Sequence, residues 1–100
     1  MDKGLKAKWV KALRSRKFKQ AHKQLKTKHG YCCLGVLREI AEPGCARTDG
    51  AGLLRREDAA AWGIGEETMF RLAAMNDGLK DFAGNPHSFE QIADYIEKKL

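Results

Sequence analysis

The chain has 100 residues, 43% of them hydrophobic, with three cysteines and a net charge of +6. An odd number of cysteines argues against a disulfide framework. No apolar run reaches the ~20 residues that span a bilayer, and the N-terminus lacks the apolar stretch of a signal peptide. We therefore expect a single soluble domain, residues 1–100, in the reducing cytoplasm.

Positive charge is concentrated in the N-terminal quarter. Residues 1–28 hold 11 Lys and Arg residues against one acid, whereas residues 29–100 hold 8 against 12 acids. This asymmetry predicts an acidic or polyanionic partner for the N-terminal segment. A solvated basic helix that neutralises its own acidic domain is the alternative interpretation.

The first predicted helix covers residues 3–16, where one face is apolar. That face consists of Leu5, Trp9, Ala12 and Leu13. Its apolar stripe is narrow for a helix on a membrane surface, so we expect it to pack on the rest of the chain. Residues 1–28 would thus form a basic layer on a helical body of residues 29–100.

The stretch from Gly30 to Leu37, Gly-Tyr-Cys-Cys-Leu-Gly-Val-Leu, is the longest with almost no charge. It predicts a central helix over residues 33–42, ended by Pro43-Gly44. Just before it, residues 24–27 and 31–32 are compatible with a minor β-hairpin around the turn at residues 28–30. Residues 45–52 then read as a loop with a turn at Asp49-Gly50, followed by a short extended piece at residues 53–54.

Three further helices are predicted in the second half of the chain. They cover residues 56–62, capped at Gly63, residues 66–75, and residues 89–100, with residues 79–87 as loop. Ser88 and Gln91 form a capping box at the start of the last helix. The two most periodic helices should bury their apolar faces together, which places Leu34, Leu37, Ile92 and Ile96 in one core.

The cysteines do not have the spacing of a metal site. Cys32 and Cys33 are adjacent and would point about 100° apart on a helix, and Cys45 is distant, whereas structural zinc prefers paired ligands such as C-x2-C. No residue pattern marks a base or an oxyanion hole for a catalytic thiol. We expect Cys33 in the core and Cys32 half-buried, with no metal, no cofactor and no enzymatic activity.

The pattern from Ala59 to Leu72 is typical of two helices packed around a tight turn, as in a helix-turn-helix. Gly63 would occupy the turn, and Ile64 and Met69 would pack inside it. In a DNA-binding protein the second helix would read bases through Thr68 and Arg71. Glu66 and Glu67 at its start would repel phosphate, which weakens that interpretation.

The basic segment is the stronger candidate site. Trp9 and Phe18 lie among cations there, and phosphate binding without base readout needs only such charges on one side. An acidic protein surface would be an equally suitable partner. The candidate binding residues are Lys8, Lys11, Arg14, Arg16, Lys17, Lys19, Lys23 and Lys26.

Six stretches in this order resemble a family of small proteins of tailed phages and prophages, whose most recognisable motif is Tyr-Cys-Cys-Leu-Gly-Val-Leu. Where that family often continues with a Cys-Asp pair, this chain has Arg38-Glu39, which argues against a thiol or metal role. The family carries no established catalytic residues. The stretches are Trp9-Val10-x-Ala12-Leu13-Arg14-Ser15, Phe18-Lys19-Gln20, residues 30–37, Ala61-Trp62-Gly63-Ile64, Met75-Asn76-Asp77 and Phe89-x-x-Ile92-Ala93-x-Tyr95-Ile96.

The resemblance implies an accessory protein made in an infected or lysogenic bacterium, and many such proteins block a host defence machine or bind nucleic acid. The residue patterns themselves predict a mainly α domain of about five short helices, with which a minor β-hairpin is compatible. The expected function is non-enzymatic binding of a host protein, a nucleoprotein defence complex or nucleic acid through the basic segment, as an anti-CRISPR-like inhibitor would bind. The alternative is a helix-turn-helix DNA-binding regulator.

Overall fold

The computed structural model of the protein describes residues 1–44 and 52–100, and within them the fold is mainly α, as predicted. The helices are α1 (Lys3–Arg14), α2 (Cys33–Ala41), α3 (Arg56–Ala61), α4 (Glu66–Asp77) and α5 (Phe89–Lys99), with one 3-10 turn (Lys80–Phe82). The first and last helices, α1 and α5, pack on each other, and α1 also packs on α2. Helix α4 contacts α2, α3 and α5.

The predicted core is confirmed. Leu34 and Leu37 of α2 are fully buried with Ile92 and Ile96 of α5. The capping box that starts α5 is also present, because the Ser88 hydroxyl accepts from the Gln91 N–H and the Gln91 side chain accepts from the Ser88 N–H. Local sequence signals thus define this helix well.

Helix α1 ends at Arg14, two residues earlier than predicted. The Ser15 hydroxyl donates a hydrogen bond to the carbonyl of Ala12 at 2.7 Å, and Arg16 adopts a left-handed conformation with φ 63°. A serine that bonds the preceding turn competes with continued helix, and a residue at positive φ cannot belong to one. At the other end, Asp2 caps the helix by accepting from the Leu5 N–H.

Helix α4 runs two residues further than predicted, to Asp77, and Gly78 ends it with φ 68°. The motif Asn76-Asp77-Gly78 predicts the end of this helix, and Gly78 does end it, whereas Asn76 and Asp77 remain helical. The side chains of Asn76 and Asp77 hydrogen-bond to backbone groups of residues 21–33 and so are engaged by distant residues and not by the local backbone. The following segment, predicted as loop, contains the 3-10 turn.

The segment between α1 and α2 is extended and irregular. Of the β-hairpin considered for residues 24–27 and 31–32, the structure has only an isolated antiparallel bridge between Lys26 and Tyr31. A parallel bridge joins Gln20 to the other side of Tyr31. The Thr27 hydroxyl accepts from the N–H groups of His29 and Gly30 and so closes the predicted turn. Tyr31 is therefore the centre of a local backbone network and not the end of a strand.

Two other expectations can be compared with the structure, and a third falls mainly outside the described residues. Cys32 is 2% exposed, so the prediction that it is half-buried was wrong; Leu25, itself 1% exposed, lies over it, and the Cys32 N–H donates to the Leu25 carbonyl. Residues 53–54 form no strand. The predicted loop with the turn at Asp49-Gly50, and Cys45 with it, lies outside the described residues apart from Gly52.

Candidate interaction surface of the N-terminal segment

Two buried or bidentate contacts hold α1 in place. The indole N–H of Trp9, which is fully buried, donates to the carbonyl of Cys33 at 2.9 Å. On the opposite flank, Arg14 reaches α5 and pairs with Asp94 at 2.7 Å and Glu97 at 3.1 Å. The hydrogen bonds to Glu97 and Asp94 raise the pKa of Arg14 further above its ordinary value, and the Arg14 contact lowers the pKa of Glu97. The N-terminal helix is thus fixed in orientation on α2 and α5.

The irregular segment of residues 15–32 is fixed by two glycines of the apolar motif. A Cβ at Gly30 would lie 2.8 Å from the carbonyl carbon of Lys19, and a Cβ at Gly35 would lie 2.7 Å from that of Leu25. Both distances are too short for any other residue. The sequence Gly-Tyr-Cys-Cys-Leu-Gly therefore supplies a platform on which the backbone of the basic segment rests.

Asn76 on α4 anchors the same segment from the other side, and it is fully buried. Its Oδ1 accepts from the Gln20 side chain at 3.0 Å and from the N–H of Cys33 at 3.2 Å, and its Nδ2 donates to the carbonyl of Ala21 at 2.9 Å. Helix α2 has no capping side chain of its own at Cys32, so Asn76 satisfies one of its first N–H groups from 43 residues away. One amide side chain therefore joins the basic segment, α2 and α4.

Asp77 completes this anchor. Its Oδ1 accepts from the backbone N–H of Lys23 at 2.9 Å and from Asn76 Nδ2 at 2.8 Å. His22 Nδ1 lies 2.8 Å from the Asn76 carbonyl and 3.9 Å from Asp77. Lys23 itself adopts φ 67°, a left-handed conformation that costs energy for a non-glycine residue and is retained here by these bonds.

The eight sequence-predicted cations do not have equivalent surroundings. Arg14 is paired as described, Arg16 lies 3.6 Å from Glu90 of α5, and the Lys26 ammonium stands 5.6 Å from the centre of the Tyr31 ring. The side chains of the other five are exposed and form no ion pair with any residue in the described ranges 1–44 and 52–100. These five are Lys8, Lys11, Lys17, Lys19 and Lys23.

The structure also brings together residues that the sequence analysis did not select. A groove of about 780 Å³ runs along the outer side of α1. Two of its cations, Lys3 and Lys6, join Lys11 and Arg14 there because residues three, four and seven or eight apart share a helix face. That spacing was a usable signal for Lys3 and Lys6. The lining is Lys3, Lys6, Ala7, Val10, Lys11, Arg14, Ser15 and Glu97.

The helix-turn-helix-like corner is present as structure. Ala59, Ile64, Met69 and Leu72 are buried at its centre, and Gly63 turns with φ 76°. Met1 packs against this turn. A Cβ added at Gly63 would lie 2.6 Å from the Cα of Met1. Arg71 is exposed and Thr68 is partly buried.

The start of α4 carries exposed negative charge. Glu66 and Glu67 are both solvent-exposed, and Arg56 lies 3.0 Å from Glu66. Arg56 offsets one of these carboxylates, and Glu67 faces solvent as a charge that phosphate would meet.

The two described cysteines are buried in apolar surroundings. Burial raises the pKa of Cys32 to about 11 and raises the pKa of Cys33 as well. Cys33 Sγ lies 3.6 Å from the carbonyl of Leu72. Thiols in this environment are neutral at physiological pH and act as packing groups. The described residues contain no cluster of His, Cys, Asp and Glu that could hold a metal ion.

Comparison with protein families finds one match, over residues 1–45, to a family described as a domain of unknown function, DUF8296. The matched region comprises α1, the basic segment and α2, which are the elements joined by Trp9, Gly30 and Gly35. A search of curated proteins and a search of solved structures found no match. No helix in the described part of the chain is long and apolar enough to cross a membrane.

Proposed function

We propose that this protein is a non-enzymatic binding protein that engages an anionic macromolecular partner through its N-terminal basic surface. That surface is defined as the exposed lysines Lys8, Lys11, Lys17, Lys19 and Lys23 together with Lys3 and Lys6 of the α1 groove. The observation that carries the proposal is the combination of exposed lysines that form no ion pair within residues 1–44 and 52–100 with a backbone anchored by hydrogen bonds to Asn76 and Asp77.

Rigidity matters because a binding surface that is already ordered loses less entropy when the partner arrives. A basic segment that served only to keep the protein soluble would need no anchor. Here the segment is tied down by Asn76, Asp77 and the two platform glycines, while its lysine side chains point to solvent. Uncompensated charge on a fixed scaffold also accelerates encounter with a partner of opposite sign.

The biological setting of the proposal rests on the resemblance to tailed-phage and prophage proteins. Small proteins of that kind commonly act by binding a host machine, and a nucleoprotein defence complex presents both acidic protein surfaces and phosphates. We therefore propose a bacterial nucleoprotein complex as the target and the bacterial cytoplasm as the place of action. The buried, neutral thiols of Cys32 and Cys33 support binding over thiol chemistry.

Affinity capture from a bacterial lysate, with and without nuclease treatment, tests this proposal. A nuclease-resistant partner identifies a protein or nucleoprotein surface, and a nuclease-sensitive one identifies nucleic acid as the bridge. Capture that persists at low salt and disappears at high salt is the expected behaviour of a charged interface. Absence of any specific partner at low salt in both arms would contradict the proposal.

The helix-turn-helix alternative predicts a different result in a direct titration with duplex DNA. A reader of bases would show sequence preference that is lost in Arg71→Ala, by about 1–3 kcal/mol at one base pair. We expect weak binding without sequence preference, because Glu66 and Glu67 lie at the start of α4 where a recognition helix needs positive or neutral groups.

A further inference from the structure

The groove along α1 combines apolar and cationic surface in one place. Its floor is the exposed Ala7 with the 6% of Val10 that reaches the surface, and the lysine side chains that border it contribute most of the remaining apolar surface through their methylene stems. Since α1 rises about 1.5 Å per residue, the lining from Lys3 to Ser15 extends over about 18 Å, or three helical turns. Its volume of about 780 Å³ is sufficient for several side chains of a partner.

Some charged side chains of the groove have ion-pair partners in the described part of the chain, and others do not. Among the described residues of the lining, Glu97 is the one carboxylate. It is held by Arg14, and the Lys6 ammonium donates to the Glu97 main-chain carbonyl at 3.2 Å. Lys3 and Lys11 form no ion pair within the described ranges. An incoming group therefore meets an apolar centre with free ammonium groups at its borders.

We infer that this groove binds an acidic amphipathic helix of a partner protein, with apolar side chains on Ala7 and Val10 and carboxylates beside Lys3 and Lys11. A helix laid in a groove is a common mode of recognition, and its apolar face repeats at i, i+3, i+4 and i+7. The phosphate backbone of a nucleic acid has charge for the lysines but no apolar group for the floor. This inference rests on the proposed function and names the chemistry of the partner at one part of the basic surface.

The substitution Ala7→Lys should have opposite effects on the two kinds of partner: weaker binding of an amphipathic helix and stronger binding of a nucleic acid. Ala7 is exposed on a helix, and lysine is a good helix former, so the fold should be retained. The new side chain fills the apolar floor, which obstructs an amphipathic helix, but it also adds a positive charge, which strengthens binding of any polyanion. Ala60→Lys is the matched control because Ala60 is exposed on α3 and the change in net charge is identical.

The probes are two synthetic peptides and a duplex DNA, titrated against the wild type and both variants. One peptide has about 12 residues, to match the length of α1, with leucines at helical spacing and glutamates elsewhere. The other has the same composition in scrambled order. We expect the wild type to prefer the amphipathic peptide. Ala7→Lys should weaken that peptide about tenfold or more, as for a central interface contact. Ala60→Lys should not weaken it.

Three results would overturn the inference. They are equal binding of the two peptides, no binding of either, and retained or improved peptide binding by Ala7→Lys. If DNA binds more tightly to Ala7→Lys while the peptides do not distinguish the variants, the groove recognises charge alone. In that case the inference fails, and the proposed function of the basic surface remains supported.

Discussion

Gly35→Ala is the substitution that tests most sharply how the basic segment is held. The new methyl group would overlap the carbonyl of Leu25, so the backbone there must retreat. Leu25 is 1% exposed, and withdrawing it from the core forfeits part of the ~1.5–3 kcal/mol that burial of a leucine contributes. Forced overpacking costs about 1–3 kcal/mol, and the better helix propensity of alanine returns about 1 kcal/mol. We expect a net loss of about 1–4 kcal/mol.

Denaturant unfolding followed by circular dichroism measures this loss, and thermal unfolding should show a melting temperature lower by roughly 4–30 °C. Gly4→Ala is the matched control, since Gly4 lies in the first turn of α1, where a Cβ would meet no backbone atom and would lie 3.2 Å from Asp2 Oδ2, the oxygen that caps the helix. The control should not destabilise the protein and should gain up to about 1 kcal/mol from the better helix propensity of alanine. A Gly35→Ala protein within about 0.5 kcal/mol of the wild type would show that the segment does not rest on α2 as described.

Three further predictions concern the core and its polar anchor. Asn76→Ala should cost about 3 kcal/mol or more, because it leaves the buried N–H of Cys33 and the part-buried carbonyl of Ala21 without this partner. The exposed Asn85→Ala should be near neutral, and equal effects of the two substitutions would contradict the anchor. Leu37→Ala should cost about 2–5 kcal/mol in the same assay, since Leu37 is fully buried, and a change under about 1 kcal/mol would refute its placement. Because burial raises the pKa of Cys32 above that of the unfolded thiol, the unfolded state loses its proton first. Stability should therefore fall as pH rises above about 9, with a weaker fall in Cys32→Ala, and an equal fall in both proteins would exclude this cause.

The elements that sequence reasoning located well are those with local signals. The helix of Phe89–Lys99 has both a capping box and a clear 3.6-residue periodicity, and its burial against Leu34 and Leu37 follows from the need of two apolar faces to cover each other. The tight corner at Gly63 was likewise predicted from spacing, because only a residue that tolerates positive φ suits that turn.

What could not be predicted depends on contacts between distant residues. Asn76 was predicted to help end its helix because asparagine locally favours caps and turns. Its hydrogen-bond partners, however, are Cys33 and Ala21, which lie 43 and 55 residues earlier in the chain. Cys32 appeared half-buried because nothing local indicated that Leu25 covers it. Tertiary hydrogen bonding and packing overrode local preference in both cases.

The binding site stays a prediction, and the structure shows that its predicted residues differ in their surroundings. The density of positive charge was the basis for choosing the basic segment. It gave no reason to distinguish Arg14 from the neighbouring cations. The structure pairs Arg14 with Asp94 and Glu97, which lie 80 and 83 residues away, so this residue orients α1 in addition to carrying charge. Charge-reversal variants meant to probe binding should therefore spare Arg14.

The most direct test of the binding surface compares two triple variants in affinity capture of the same lysate partner. One variant is Lys11→Glu, Lys17→Glu, Lys19→Glu, which reverses exposed lysines of the N-terminal surface. The other is Arg71→Glu, Lys98→Glu, Lys99→Glu, which changes the net charge equally at exposed positions elsewhere. With folding of both verified by circular dichroism, we predict that the first loses the partner and the second retains it. Retention by the first variant together with loss by the second would contradict the account and place the binding surface on α4 or on the last turn of α5.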